Sequence, residues 1–179
     1  MEKKKLIIFT DIGDTVVDEG TEVRKVPFGV VYGADCIPGA KETLLELYAR
    51  GYTIVLVADG LARSFHNTME QNGLDHIFAD WIISEEVGSE KPQPVMFETA
   101  MRRLGLSEAD KGRIIMVGNN LSRDVAGANR YGIPSVHFCW SPRYPHEASS
   151  KEEEPTYRIY SMPELLVLAE RLEGSLQTP

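Results

Sequence analysis

Short, unbroken apolar runs alternate with stretches of helical spacing along almost the whole chain, and no other feature limits the fold as much. The runs fall at residues 6–9, 54–57, 81–83, 114–117 and 135–138, with 157–160 as a last candidate. A run that is apolar at nearly every position leaves no solvent face, so it suits a strand covered by helices on both sides. The stretches between supply those helices. Ala40, Leu44, Leu47 and Tyr48 follow helical spacing up to Gly51, and Leu61, Phe65 and Met69 do so up to Gly73. Phe97, Ala100, Met101 and Leu104 are entered through Pro92 and Pro94 and end at Gly105. Val125 and Ala128 follow the fourth run, and a capping box at Ser161 to Glu164 opens a final helix that buries Leu165, Leu168 and Leu172. The expected fold is α/β: a doubly wound, mostly parallel sheet with helices on both faces.

Two stretches break the alternation. Residues 16–37 carry Gly20, Pro27, Gly29 and Gly33 and read as a hairpin-like, flap-like excursion. Residues 140–155 are polar and rich in Pro, Ser and Glu; Trp140, Arg143, Tyr144 and His146 could contact substrate at the crevice mouth, but the preferred reading is a solvated surface loop with these as incidental members. The length, 179 residues, suits one domain over 1–179. A net charge of −8 argues against a grip on nucleic acid or an anionic membrane. The first apolar run stops at Thr10-Asp11, too soon for a signal segment or a membrane span. Cys36 and Cys139 make neither a metal motif nor a disulfide framework, which suits the cytoplasm. The four histidines lack ligand spacing and read as ordinary surface or half-buried residues.

The chemistry-bearing residues follow the strands. Thr10-Asp11-Ile12-Gly13-Asp14-Thr15 follows the first, Ala58-Asp59-Gly60 the second, and Gly118-Asn119 through Asp124 the fourth, while Lys91 stands before Pro92 at a helix start. In a doubly wound sheet these segments converge on one crevice. Carboxylates, an ammonium and helix starts together suit a divalent cation bridging an anionic ligand. A carboxylate can also take a phosphoryl group and pass it to water.

The order and spacing of these segments resemble the four motifs of the haloacid dehalogenase-like (HAD) hydrolases. Asp11-Ile12-Gly13-Asp14-Thr15 is similar to the first, Lys91 to Phe97 to the third, and Val117-Gly118-Asn119 through Ala128 to the fourth. Pro38-Gly39-Ala40 with Gly51-Tyr52 resembles the lead into the second. The resemblance implies a Mg²⁺-dependent phosphoester hydrolase with Asp11 as nucleophile and Lys91 holding nucleophile and phosphoryl group together. It implies phosphate contacts at Thr15, Ala58, Asp59, Gly60 and Lys91, and a Mg²⁺ site at Asp11, the Gly13 carbonyl, Asn119 and Asp124. The gaps from Asp11 to Pro38 and from Ala58 to Lys91, 27 and 33 residues, are too short for a separate cap domain. The crevice is then open, or covered by a neighbouring subunit in a homo-oligomer, and the substrate is a phosphorylated small molecule or macromolecule.

Three positions depart from the pattern. Gly13 stands where family phosphatases carry their general acid/base, Ala58 where a hydroxyl would hold phosphate, and Asn119 where an acid would hold the cation. Asp59 is expected to cap the helix that follows it, and the side chain of Asp14 to point away from the leaving group. The losses predict slow turnover favouring good leaving groups, since general acid-base catalysis contributes ~10²–10⁴ in rate. Two alternatives stay open: a catalytically degenerate HAD scaffold that binds or regulates, and a carbon–halogen hydrolase.

Overall fold

The first apolar run becomes strand β1 (Ile7–Thr10), buried at all four positions. Its side chains alternate between two cores: Ile8 joins one cluster, while Ile7 and Phe9 join the other. In the computed structural model, which describes residues 3–25 and 29–177, β1 lies inside a sheet formed by the later runs. A hairpin follows, β2 (Val23–Lys25) and β3 (Val30–Gly33), and then α1 (Ala40–Ala49), β4 (Thr53–Ala58) and α2 (Ala62–Asn72). The middle of the chain gives β5 (Phe78–Ile83), the short α3 (Ser84–Val87), α4 (Pro94–Arg103) and β6 (Ile114–Gly118). The remainder gives α5 (Ala126–Tyr131), β7 (Ser135–Phe138), β8 (Tyr157–Ile159) and α6 (Met162–Gln177).

The six-stranded sheet runs β5-β4-β1-β6-β7-β8, and every neighbouring pair is parallel. The expected α/β sheet is therefore present, with parallel pairing throughout. One face buries Leu44 and Leu47 of α1, Met69 of α2 and Leu165 of α6. The other buries Met96, Phe97, Ala100 and Met101 of α4 with Ala128 of α5. Both faces are covered, which is why the strands read as continuous apolar runs.

β2 and β3 pair antiparallel outside the main sheet. Pro27, part of the expected excursion, lies outside the described residues. The Val31 and Ala34 backbone N–H groups donate to Ser64 Oγ and Gln71 Oε1, both at 3.0 Å, and Asn67 and Asn72 donate back to the Val31 and Ala34 carbonyls, both at 2.9 Å. These bonds pin the segment to α2 as a wall beside the strand ends.

Candidate active site

β1 sits between β4 and β6, so the loops leaving these three strands open side by side where the winding direction reverses. Asp11 is tied across this point, its N–H donating to the Val117 carbonyl at 2.9 Å. Lys91 reaches the same point from the loop before α4. Its backbone N–H donates to Asp59 Oδ1 at 3.0 Å, and the residue is buried. Its Nζ donates to Asp11 Oδ1 at 2.8 Å and to the Val57 carbonyl at 2.7 Å, and lies 2.7 Å from Asp124 Oδ1. An ammonium has three protons, and three oxygens surround this one. Burial works against its charge, but Asp11 and Asp124 outweigh it and raise the Lys91 pKa. Burial also holds the Asp11 carboxyl above the usual carboxylate range, opposed by the Lys91 charge and reinforced by that of Asp124.

Asp124 enters from a wide turn, Leu121–Val125, with π-helical hydrogen bonding. Its Oδ2 accepts from the Asn120 N–H at 3.0 Å and its Oδ1 is ion-paired with Lys91 Nζ, while the neighbouring buried Asn119 Nδ2 has no acceptor. Gly118 makes room for this arrangement. A Cβ there would overlap the Asp124 carboxylate, so the glycine is required by close approach. Asn120 Oδ1 caps the turn by accepting from the Ser122 and Arg123 N–H groups, both at 3.1 Å.

Asp11, Gly13, Asp59, Gly60, Lys91, Asn119 and Asp124 all line one crevice of about 220 Å³. Thr15 and Ala58 do not. Both are fully buried, and the Thr15 hydroxyl donates to Asn119 Oδ1 at 3.4 Å, so neither presents its side chain to a ligand. Gly60 lines the crevice, but its N–H donates to Ser84 Oγ at 2.9 Å instead of facing an anion. Asp59 is not the cap of α2 that the sequence suggested. Its Oδ1 holds the Lys91 backbone, and it is Glu85 Oε2 that accepts from the Ala62 N–H at 2.8 Å at the start of α2.

Loop 140–155 does more than face solvent. Arg143 donates from Nε to Asp14 Oδ2 at 2.7 Å and from Nη2 to Asp14 Oδ1 at 2.6 Å, and also bonds Asp18. Tyr144 donates its hydroxyl to Glu19 Oε2 at 3.1 Å, and both Tyr144 and Glu19 line the crevice. Burial holds the Glu19 carboxyl above its usual value, and the Asp14 charge adds to the rise. Burial also pushes the Tyr144 phenol up to about 12, helped by the Glu19 charge. His137 is not a surface or half-buried residue. It is fully buried, its Nε2 lies 3.1 Å from the Asn119 carbonyl, and Cys139 Sγ lies 3.1 Å from its Nδ1. Because a carbonyl only accepts, the proton sits on Nε2, and the ring props up the Asn119 turn.

A family model described as haloacid dehalogenase-like hydrolase matches residues 30–138. The chain belongs to that family. The matched span holds Lys91, Asn119 and Asp124 but begins after the Asp11 loop. The glyceraldehyde 3-phosphate phosphatase of Methanopyrus kandleri is 33% identical over 135 residues, 75% of this chain and 57% of that protein. The ribulose-1,5-bisphosphate 5-phosphatase of Halopiger xanaduensis is 36% identical over 102 residues, 57% of this chain and 41% of that protein. The chain thus spans about half the length of these curated relatives. A HAD phosphatase structure from Thermococcus onnurineus aligns with a TM-score of 0.73 over 91% of this chain and 97% of that one. At 18% identity that likeness concerns the HAD fold alone.

Glu19 was not singled out from the sequence, and Tyr144 was read as a member of a solvated loop; both line the crevice, and the Asp14–Arg143 pair fastens the loop that brings Tyr144 there. One signal was available: a carboxylate six residues after Gly13, inside the segment that interrupts the α/β alternation.

Proposed function

We propose that this HAD-family chain is a phosphoester hydrolase in which the Asp11 carboxylate takes the phosphoryl group of a phosphorylated small molecule and water then releases it. The observation that carries the reading is Lys91 Nζ, buried 2.8 Å from Asp11 Oδ1 and 2.7 Å from Asp124 Oδ1 at the carboxyl end of β1. A buried ammonium between two carboxylates neutralises the nucleophile's surroundings, so an anionic phosphoryl group can approach. The family relatives named as sugar- and triose-phosphate phosphatases support this substrate class.

The family also implies Mg²⁺, and the residues here fit it. The single Lys91 ammonium offsets only one of the two negative charges of Asp11 and Asp124, so this corner keeps a net negative charge that a cation would neutralise. Among the described residues no three His, Cys, Asp or Glu side chains converge as a metal cluster. The donors are then two carboxylates with neutral oxygens, a set suited to a hard cation that keeps several waters. Asp11, Asp124, Asn119 and the Gly13 carbonyl would hold Mg²⁺, which supplies positive charge beside the phosphoryl group. The chain's own residues orient the reaction: the Val117 carbonyl fixes the Asp11 backbone, and Asp59 fixes that of Lys91.

The non-catalytic reading retains one favouring observation, the scarcity of phosphate donors left by Ala58 and by a Gly60 N–H committed to Ser84. Phosphate release from a panel of phosphate esters, with and without Mg²⁺, separates the two. The hydrolase reading expects turnover that needs Mg²⁺ and falls at least ~10³-fold in Asp11→Asn. No release from any ester, or release untouched by Asp11→Asn, contradicts it.

A further inference from the structure

Gly13 carries no side chain, yet the space beside it is filled. A Cβ built on Gly13 would overlap Glu19 Oε1, and would lie 3.1 Å from Glu19 Cδ and 3.3 Å from Cγ. A carboxylate reaching from position 13 would need the volume that the Glu19 carboxylate already holds. Glu19 comes from the excursion between β1 and β2, and it is gripped at both ends. Its backbone N–H donates to Asp14 Oδ1 at 3.0 Å, and its carboxylate accepts from Tyr144 Oη at 3.1 Å. Asp14 is itself fully buried with both oxygens on Arg143, so it is an anchor and has no oxygen to spare for a leaving group. Glu19 and Tyr144 line the same crevice as Asp11 and Lys91.

We infer that Glu19 is the general acid and base of this site, supplied from the excursion in place of the side chain that Gly13 lacks. The inference rests on the Asp11 chemistry proposed above and deepens it. In the first half, the bond between phosphorus and the ester oxygen breaks as one forms to an Asp11 carboxylate oxygen. The Glu19 carboxylic acid gives its proton to the departing oxygen, which leaves as an alcohol. In the second half, the Glu19 carboxylate takes a proton from water as the water oxygen bonds to phosphorus, freeing the Asp11 carboxylate and inorganic phosphate. Glu19 ends protonated, ready for the next ester. Tyr144 and Asp14 are positioning residues, acting only through Glu19.

The test compares wild type with Glu19→Gln on p-nitrophenyl phosphate, read as the first-turnover burst of nitrophenolate and as the steady rate after it. Nitrophenolate leaves without a proton, so the burst persists in Glu19→Gln, while the steady rate falls ~10²–10⁴-fold because water loses its base. On glycerol phosphate, whose alkoxide needs a proton, both phases fall. A structural role would instead lower burst and steady rate in the same proportion, and that result overturns the inference, as does a wild-type steady rate. Transposition gives a second reading. Gly13→Asp with Glu19→Ala is expected to exceed Glu19→Ala alone by at least ~10-fold on glycerol phosphate, and a double variant no faster than Glu19→Ala overturns the shared position. If wild type is inactive, or Asp11→Asn is as active as wild type, the Asp11 reading itself fails and takes Glu19 with it. If Asp11→Asn is dead and Glu19→Gln behaves as wild type, only the Glu19 assignment fails.

Discussion

The Asp14 carboxylate, fully buried, is held through both oxygens by the Arg143 guanidinium, 129 residues further along the chain. The pair fastens loop 140–155 onto the turn after β1, and Asp14 sits there with a φ of 47°, a left-handed backbone that Asp tolerates better than most residues. Arg143→Met removes the partner and leaves a buried charge. Stability is predicted to fall, read as a lower urea-unfolding midpoint, by less than for a fully enclosed pair because the Arg143 side chain is 40% exposed. Asp14→Asn together with Arg143→Met should recover part of the loss, since the uncompensated charge is gone.

Acid should weaken a second anchor at the far end of β1. Glu173 on α6 is buried and accepts from the Leu6 N–H at 2.8 Å and the Lys5 N–H at 3.2 Å. Burial pushes its carboxyl up, but the backbone N–H groups of Leu6 and Lys5 outweigh it, so its pKa lies below the ordinary 4.5. A folded value below the unfolded one means the stabilisation is fully present above the unfolded value and fades as pH falls through the folded one. Glu173→Gln is predicted to cost about 1–2 kcal/mol at pH 7. Urea unfolding at neutral and acid pH checks this, because the gap from wild type should close in acid.

The sheet was legible because both of its faces are buried, which imposed apolar runs that no loop would carry. The meeting of Asp11, Lys91 and Asp124 was legible from order alone, once each was placed at a strand end or helix start. Contacts between side chains far apart in sequence left no local trace. Nothing near Asp59 signalled that it would hold the Lys91 backbone while Glu85 served α2, and nothing in the polar composition of 140–155 named Asp14 as the partner of Arg143. His137 looked like an incidental histidine because one strand residue does not reveal that a carbonyl and a thiol wait on either side of its ring.

Gly118 offers a test of how the Asp124 carboxylate is placed. Gly118→Ala puts a methyl group where that carboxylate sits and turns it away from Lys91. Phosphate release should fall at least ~10²-fold, a cost expected for misplacing a group at the reacting centre. Retained turnover would show that Asp124 has no part in the reaction.

Removing the ammonium should be more damaging still. Lys91→Met leaves Asp11 and Asp124 facing each other without the charge that now lies between them. Turnover is expected to fall at least ~10³-fold, and binding of vanadate, a phosphoryl mimic, should be lost with it. Calorimetric titration with vanadate in the presence of Mg²⁺ reads the second effect independently of turnover.

The most direct measurement is the mass of the protein quenched in acid during turnover of an aryl phosphate, followed by peptide mapping. The Asp11 mechanism predicts one added phosphoryl group on the peptide that contains Asp11, absent in Asp11→Asn and accumulating in Glu19→Gln. Steady turnover with no covalent phosphoryl group, or with the group on any other residue, would contradict it.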